Sequence, residues 1–326
     1  MIEVITSGPL MTVQDLGRPE ARRYGVSPGG ALDSFALTVA NQLVGNPPNS
    51  AGIEITAGSA ALRFHIPITI ALAGGDLGAR LDQQPIPTWC AVRAWPGATL
   101  SLNGRRGAWG GRCYLAVAGG IQVPSLLGSR STDLAGGFGG LHGRPLHPGD
   151  QLPLRRPGTG IIPVTGRHWP SSLRPAYCAT PTLRFIPGPH SEHFTPDTLD
   201  RLGRATLRVS TTSNRMGYRL DGVHLHYQHM TSILSLGVVP GTIQVPPDGT
   251  PIMLMADAQT SGGYPIIGVL LSADMPLAAQ LLPGDTLHLA PTSLDTAYDA
   301  LLEQARMLAH NPEHDEGDLL ATLAGG

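Results

Sequence analysis

The sequence predicts a mainly β protein with a few helices, built as two related barrel-like domains and finished by a C-terminal helix. Three observations predict it. The 326 residues include 42 glycines and 30 prolines, a density that suits short strands joined by tight turns and excludes an all-helical chain. Short apolar or alternating runs, cut by glycine or proline, recur along both halves. A Pro-Gly pair leads into an apolar strand at Pro96-Gly97-Ala98, Pro148-Gly149-Asp150 and Pro283-Gly284-Asp285, and the last two would close the two domains. The same spelling also follows from turn preference alone. With 41% apolar and 14% charged residues, the chain has interior enough for two cores.

The first domain is expected over residues 1–154. Its strands are read at Gly52-Ile53-Glu54-Ile55-Thr56, Ala60-Ala61-Leu62-Arg63-Phe64, Ile68-Thr69-Ile70-Ala71-Leu72 and Tyr114-Leu115-Ala116-Val117-Ala118. One helix interrupts them: Asp33 can cap Ser34 to Val44, with Phe35, Leu37, Val39, Ala40, Leu43 and Val44 largely along one side, and Gly45-Asn46-Pro47-Pro48 stops it. Residues 155–182 hold several prolines and little periodicity and read as a linker. A second strand-rich domain follows over 183–290. In the remaining stretch, 291–326, Ser293 caps a helix carrying Leu294, Tyr298, Leu301, Ala305 and Leu308, and the acidic Glu313-His314-Asp315-Glu316 is expected to fray.

All 22 basic residues other than histidine are arginines; the chain has no lysine. A Schiff-base lysine, a phosphate-loop lysine, a lysine base or a biotinylated lysine must therefore come from a partner. Arginine clamps carboxylates and phosphates but keeps its proton, so it cannot serve as a base near neutral pH. A formal net charge of -2 with no basic run argues against nucleic-acid binding. Cys90, Cys113 and Cys178 have neither disulfide nor zinc spacing, and the start of the chain lacks a signal-type segment; a soluble protein of the cytoplasm, away from membranes, is expected.

Six stretches are candidates for carrying chemistry or approaching a ligand. Around Thr12-Val13-Gln14-Asp15-Leu16-Gly17-Arg18, turn amides and Arg18 could hold an anion, or Asp15 and Arg18 could brace each other. Asn214-Arg215-Met216-Gly217-Tyr218-Arg219 concentrates a carboxamide, two guanidiniums and a phenol. An apolar strand ending in Asp257, Gln259, Thr260, Gly262, Gly263 and Tyr264, with Gln244 on the preceding strand, joins polar side chains and open amides at the end of a buried element, as amide-binding pockets often do. His224-Leu225-His226-Tyr227-Gln228-His229, where alternate residues of a strand would share a face, and His190-Ser191-Glu192-His193 invite a metal reading, but neither has a zinc-hydrolase spacing, and an exposed strand carrying histidines is the reading taken, with no metal. Gly136-Gly137-Phe138-Gly139-Gly140 reads as a mobile loop near a ligand.

Read together and in order over residues 2–290, several motifs resemble one family. They are Thr12-Val13-Gln14-Asp15-Leu16-Gly17-Arg18, Gly30-Ala31-Leu32-Asp33, Tyr114-Leu115-Ala116-Val117-Ala118-Gly119-Gly120, Leu127-Gly128-Ser129-Arg130-Ser131-Thr132, Asn214-Arg215-Met216-Gly217-Tyr218-Arg219-Leu220 and Gln259-Thr260-Ser261-Gly262-Gly263-Tyr264-Pro265. The family is that of biotin-dependent carboxyltransferases, also called allophanate hydrolase subunit 2. Its members include the C subunit of bacterial ATP-dependent 5-oxoprolinase, the antagonist of a sporulation-kinase inhibitor, and half of the carboxyltransferase region of urea amidolyase.

The resemblance implies cyclophilin-like β-barrel domains and an active site completed by an allophanate hydrolase subunit 1-type companion. It also implies a lactam-utilisation family protein if the chain serves a 5-oxoprolinase. The expected activity is ATP-dependent (with Mg) opening of 5-oxoproline to glutamate by a complex in which this chain is inactive alone. Asp257, Gln259, Thr260 and Tyr264 are the candidate catalytic group. Asp15, Arg18, Asn214, Arg215, Tyr218, Arg219, Gln244, Gly262 and Gly263 are the candidate substrate-binding group. A biotin-dependent carboxyltransferase component acting on urea or a similar amide, with biotin on a partner, is the alternative; a regulator binding a kinase inhibitor is a third. Two positions depart from the pattern: Ile266 stands where relatives often have lysine, and Pro28-Gly29-Gly30 stands for Pro-Ser-Gly.

Overall fold

Residues 1–155, 164–195, 197–228 and 233–314 are described by the computed structural model, and they are mostly β with few helices. They form two units, each drawn from separate stretches of chain. The first takes Met1–Gly17, Asp33–Arg174 and the chain from Met307; the second takes Arg18–Leu32 and Pro175–Arg306. The chain therefore changes unit near residue 175, within the expected linker, and also at residues 18, 33 and 307, where no composition shift marks the change.

In the first unit, residues 151–152 and the strands Ile2–Thr6, Ser59–Phe64 and Thr99–Asn103 form a sheet completed by two short strands, Arg80–Leu81 and Gln84–Pro85. A second sheet runs in the order Leu10–Gln14, Gly52–Thr56, Arg112–Val117, Ile68–Gly74, Cys90–Ala94, Arg167–His168 and Glu313–His314. The unit expected to be barrel-like thus consists of two sheets. Its helix spans Ser34–Leu43, and Asp33 Oδ1 accepts from Ala36 N at 2.9 Å, so the cap read from the sequence is made. Residues 156–163 of the expected linker lie outside the described part. Further along it, His168 pairs with Cys90 and Trp169 is fully buried, which ties that end of the stretch into the first unit. Glu313–His314 pairs with Arg167–His168, so the start of the tail joins a ladder instead of fraying; Asp315 and Glu316 lie outside the described residues.

The three Pro-Gly turns share one geometry. Gly97, Gly149 and Gly284 have φ of 90°, 90° and 94°, and the amides of Ala98, Asp150 and Asp285 donate to the carbonyls of Trp95, His147 and Leu282. This is the type II pattern, proline at the second position and a left-handed glycine at the third, and it accounts for the repeated spelling.

The second unit contains a closed barrel of seven strands: Thr182–Pro187, Ile266–Leu270, Thr242–Gln244, Ile252–Leu254, Gly217–Asp221, Leu207–Val209 and Thr286–Pro291, the last lying parallel to the first. Phe185, Leu207, Leu220, Ile243, Met253, Ile267, Leu287 and Leu289 fill its interior. Alternation along Gly217–Asp221 sends Tyr218 and Leu220 inward and leaves Gly217 and Arg219 on the outer face. Leu236–Gly237 and Ser261–Gly262 make a separate two-stranded ladder. The C-terminal helix spans Leu294–Leu308, with Ser293 Oγ accepting from Thr296 N at 3.2 Å. Among the described residues no helix is long and apolar enough to cross a membrane.

Candidate functional site

Strand register on the barrel's outer face assembles the site. Arg219 pairs with Ile252, Ile252 pairs with Gln244, and Gly217 pairs with Leu254, so Arg219 and Gln244 flank Ile252 on one surface. A cavity of about 220 Å³ opens there. Asn214, Arg219, Gln244, Gln259 and Tyr264 supply its polar wall, and Ile252 and Leu254 supply apolar floor. The volume falls below the roughly 300–1,000 Å³ common for drug-sized ligands, so the space suits a small molecule.

Two carboxamides face each other in it. Gln259 Nε2 stands 3.5 Å from Gln244 Oε1, and Gln244 Nε2 stands 3.5 Å from the Tyr264 carbonyl. Both contacts are long, which leaves capacity to turn toward an amide in the cavity. Gly262 explains how Gln244 reaches this place: a Cβ there would meet Gln244 Nε2 at 2.4 Å. Gly262→Ala is therefore expected to keep the fold, because the clashing atom ends a flexible side chain. It should weaken cavity ligands about tenfold, roughly the value of one well-made hydrogen bond. Calorimetric titration beside a melting curve checks both halves.

Arg219 is half-exposed, and its Nη1 donates to Asp248 Oδ2 at 3.0 Å. The Thr250 amide and then Arg219 hold the Asp248 carboxyl below its usual range. On the strand beyond the Gly-Gly turn, His190 Nδ1 accepts from the Ile266 amide at 3.1 Å, and burial followed by the nearby His193 pushes His190 below the usual histidine range. Ile266 itself is buried among Val238, Leu254 and Ala258. The position where relatives often carry lysine is here part of an apolar cluster.

The structure separates the remaining candidates from the cavity. Arg215 and Asp257 bind each other: Nε to Oδ2 at 2.8 Å and Nη2 to Oδ1 at 2.9 Å, both side chains nearly devoid of exposure. Arg215 also donates to the Gly30 carbonyl. Neither side chain lines the cavity, although their sequence neighbours Asn214, Met216 and Gln259 do. Tyr218 points into the barrel core, its hydroxyl donating to the Leu281 carbonyl at 3.3 Å. Thr260 contributes its carbonyl to the Val238 amide. Gly263 stays exposed beside Ser235.

Arg18 is buried in the second unit, where its amide donates to the Pro28 carbonyl at 2.7 Å. Its segment underpins the site: Gly29 N donates to the Ala256 carbonyl at 3.0 Å, and Arg22 Nη2 reaches the Val238 carbonyl. Asp15 lies in the first unit, buried, its Oδ1 accepting from Gly17 N, Ser129 Oγ and Ser131 Oγ and its Oδ2 from Arg130 N. Four donors thus engage its two oxygens.

The candidate groups leave out Thr212, Met216, Gly217, Ile252 and Leu254, which also line the cavity. Strand alternation could have found Ile252 and Leu254, since they share parity across the ladder with Arg219 and Gly217. His224 and His226 are exposed on an irregular segment rather than a strand, and His229 lies outside the described residues. Gly136 to Gly140, expected as a mobile loop, makes turns around Asp133, whose Oδ1 accepts from Gly136 N at 2.8 Å. Among the described residues no three His, Cys, Asp or Glu side chains gather as a metal site.

A family model described as carboxyltransferase domain, subdomain A and B, matches residues 24–291. The chain is 41% identical to the C subunit of the 5-oxoprolinase of Escherichia coli (strain K12) over 94% of its own length and 96% of that relative. It is 34% identical to the corresponding C subunit from Haemophilus influenzae over 91% and 93% of the two chains. Among solved structures, the Kluyveromyces lactis urea carboxylase is similar with a TM-score of 0.88 and 30% identity, covering 94% of this chain and 29% of that one.

Proposed function

The chain belongs to the carboxyltransferase-domain family, subdomains A and B, and from that membership we propose that it is the C-type subunit of a 5-oxoprolinase, a hydrolase that opens a lactam. One observation carries the reading: the similarity to the C subunit of 5-oxoprolinase runs from end to end of both chains, whereas it spans less than a third of the urea carboxylase. The cavity supports it. A lactam ring with a carboxylate needs one guanidinium and amide-matching donors and acceptors over an apolar floor, and Arg219, Gln259, Gln244, Ile252 and Leu254 supply these.

A lactam amide is resonance-stabilised and resists water. Bound at the level of the complex, ATP would supply the driving force, being hydrolysed to ADP and phosphate while water adds at the lactam carbonyl carbon and the carbon–nitrogen bond breaks to leave the carboxylate and amine of glutamate. The cavity does not fit ATP itself: it is small, its single guanidinium is already engaged by Asp248, and the sequence has no lysine to add to it. Nucleotide and magnesium belong to partner subunits, an allophanate hydrolase subunit 1-type companion and a lactam-utilisation family protein. The part of this chain is to hold and orient the lactam, Arg219 on the carboxylate and the two glutamines on the amide.

The test combines the purified chain with both partners and measures glutamate from 5-oxoproline. ATP-dependent glutamate from the full set, and none when this chain is left out, is expected. No product from the full set contradicts the reading. The urea carboxylase likeness favours a second reading, a biotin-dependent carboxyltransferase component, which requires activity that avidin abolishes.

A further inference from the structure

Arg219 is the one cation among the described residues lining the cavity, and its charge is already shared. Asp248 does not depend on Arg219 for its place. Its Oδ1 accepts from Thr250 N at 2.9 Å, within the turn that Gly249 makes at φ 74°. The carboxylate is therefore fixed to its own turn, with Oδ2 presented to one edge of the guanidinium. A guanidinium has five donors on three nitrogens, and Nε and Nη2 of Arg219 have no other partner among the described residues.

We propose that Arg219 and Asp248 together set the ligand class of the cavity: small amides bearing one carboxylate, read at the remaining edge of Arg219, with Asp248 as a built-in counter-ion that limits how tightly any anion is held. This rests on the cavity being the substrate site of the proposed function. A neutral amide such as urea meets the same glutamines without an anchor on the arginine. A ligand carboxylate gains a charge-assisted fork and at the same time meets the field of Asp248 a few ångströms away, in a half-exposed setting where such terms are modest and salt-sensitive. Binding is thus selective without being strong, which suits a site that must release an acidic product.

The experiment titrates the purified full-length chain with 5-oxoproline and with 2-pyrrolidinone, the same ring lacking the carboxylate, using calorimetry or ligand-observed NMR. Wild type should prefer 5-oxoproline about tenfold. Arg219→Gln should erase the preference, and Arg219→Lys, which keeps the charge and loses the fork, should keep part of it. Asp248→Asn should tighten 5-oxoproline about threefold, an effect that shrinks in high salt, and leave 2-pyrrolidinone unchanged. Melting curves confirm that the variants fold, as expected for half-exposed positions. A preference that survives Arg219→Gln, weaker 5-oxoproline binding by Asp248→Asn, or uptake of neither ring overturns the proposal. The complex separates the two levels. Unchanged KM for 5-oxoproline with Arg219→Gln sinks this inference and leaves the hydrolase reading standing. Selective binding by the chain without glutamate formation by the full set sinks the hydrolase reading alone.

Discussion

Replacing Asp257 with alanine is expected to cost about 3–5 kcal/mol of folding stability, because it strips the carboxylate from a guanidinium that has almost no access to water. Arg215→Ala should cost a similar amount from the other side and also leave the Gly30 carbonyl without its donor. In molecules that remain folded, ligand uptake at the cavity should fall by more than about tenfold, since Asn214, Met216 and Gln259, the sequence neighbours of the pair, line it. The double variant Arg215→Met, Asp257→Leu removes both charges together. It should be markedly more stable than either single variant while still binding poorly, which separates the cost of a stranded charge from the value of a positioned wall. Urea denaturation and calorimetry measure the two quantities. Single variants within about 0.5 kcal/mol of wild type would mean that the pair is solvated and positions nothing.

The second large effect is expected at Asp15. Its two oxygens take four donors at 2.6–2.8 Å, two from backbone amides and two from hydroxyls, all in the first unit. The hydroxyls can turn elsewhere, but the amides of Gly17 and Arg130 cannot, and each buried orphan costs about 1–3 kcal/mol beyond the charged hydrogen bonds lost. Asp15→Ala should therefore lower stability by about 3 kcal/mol or more, and Asp15→Asn, which keeps one acceptor, by less. The fraction that stays folded should bind 5-oxoproline as wild type does. Lower affinity with unchanged stability would return Asp15 to the ligand-binding group.

Much of the fold and of the cavity is legible in the sequence, and the residues show why. Asp33 caps its helix through contacts three residues away, the Pro-Gly turns close over four residues, and the strand starting at Gly52 ends at Thr56 as read. Local chemistry decides these features. Asn214, Arg219, Gln244, Gln259 and Tyr264 are legible too, because clustered polar residues beside glycines at the end of an apolar strand are uncommon in a core. Their partners are not. Arg215 meets Asp257 across 42 residues and Asp15 meets Ser131 across 116. A guanidinium or carboxylate reads the same in a sequence whether it awaits a ligand or is already satisfied. Transfer of Arg18–Leu32 to the second unit is hidden for the same reason, since the hydrogen bonds that hold it, Gly29 to Ala256 and Arg215 to Gly30, are long-range. Strand parity alone sets Tyr218 aside, as it opposes that of Arg219 on a single strand.

The most direct measurement is a crystal structure of the chain soaked with 5-oxoproline. The ring is predicted to lie over Ile252 and Leu254, with its carboxylate on Arg219 and its amide between Gln244 and Gln259. A well-ordered ligand seated elsewhere, or in this cavity with its carboxylate turned away from Arg219, would contradict that assignment.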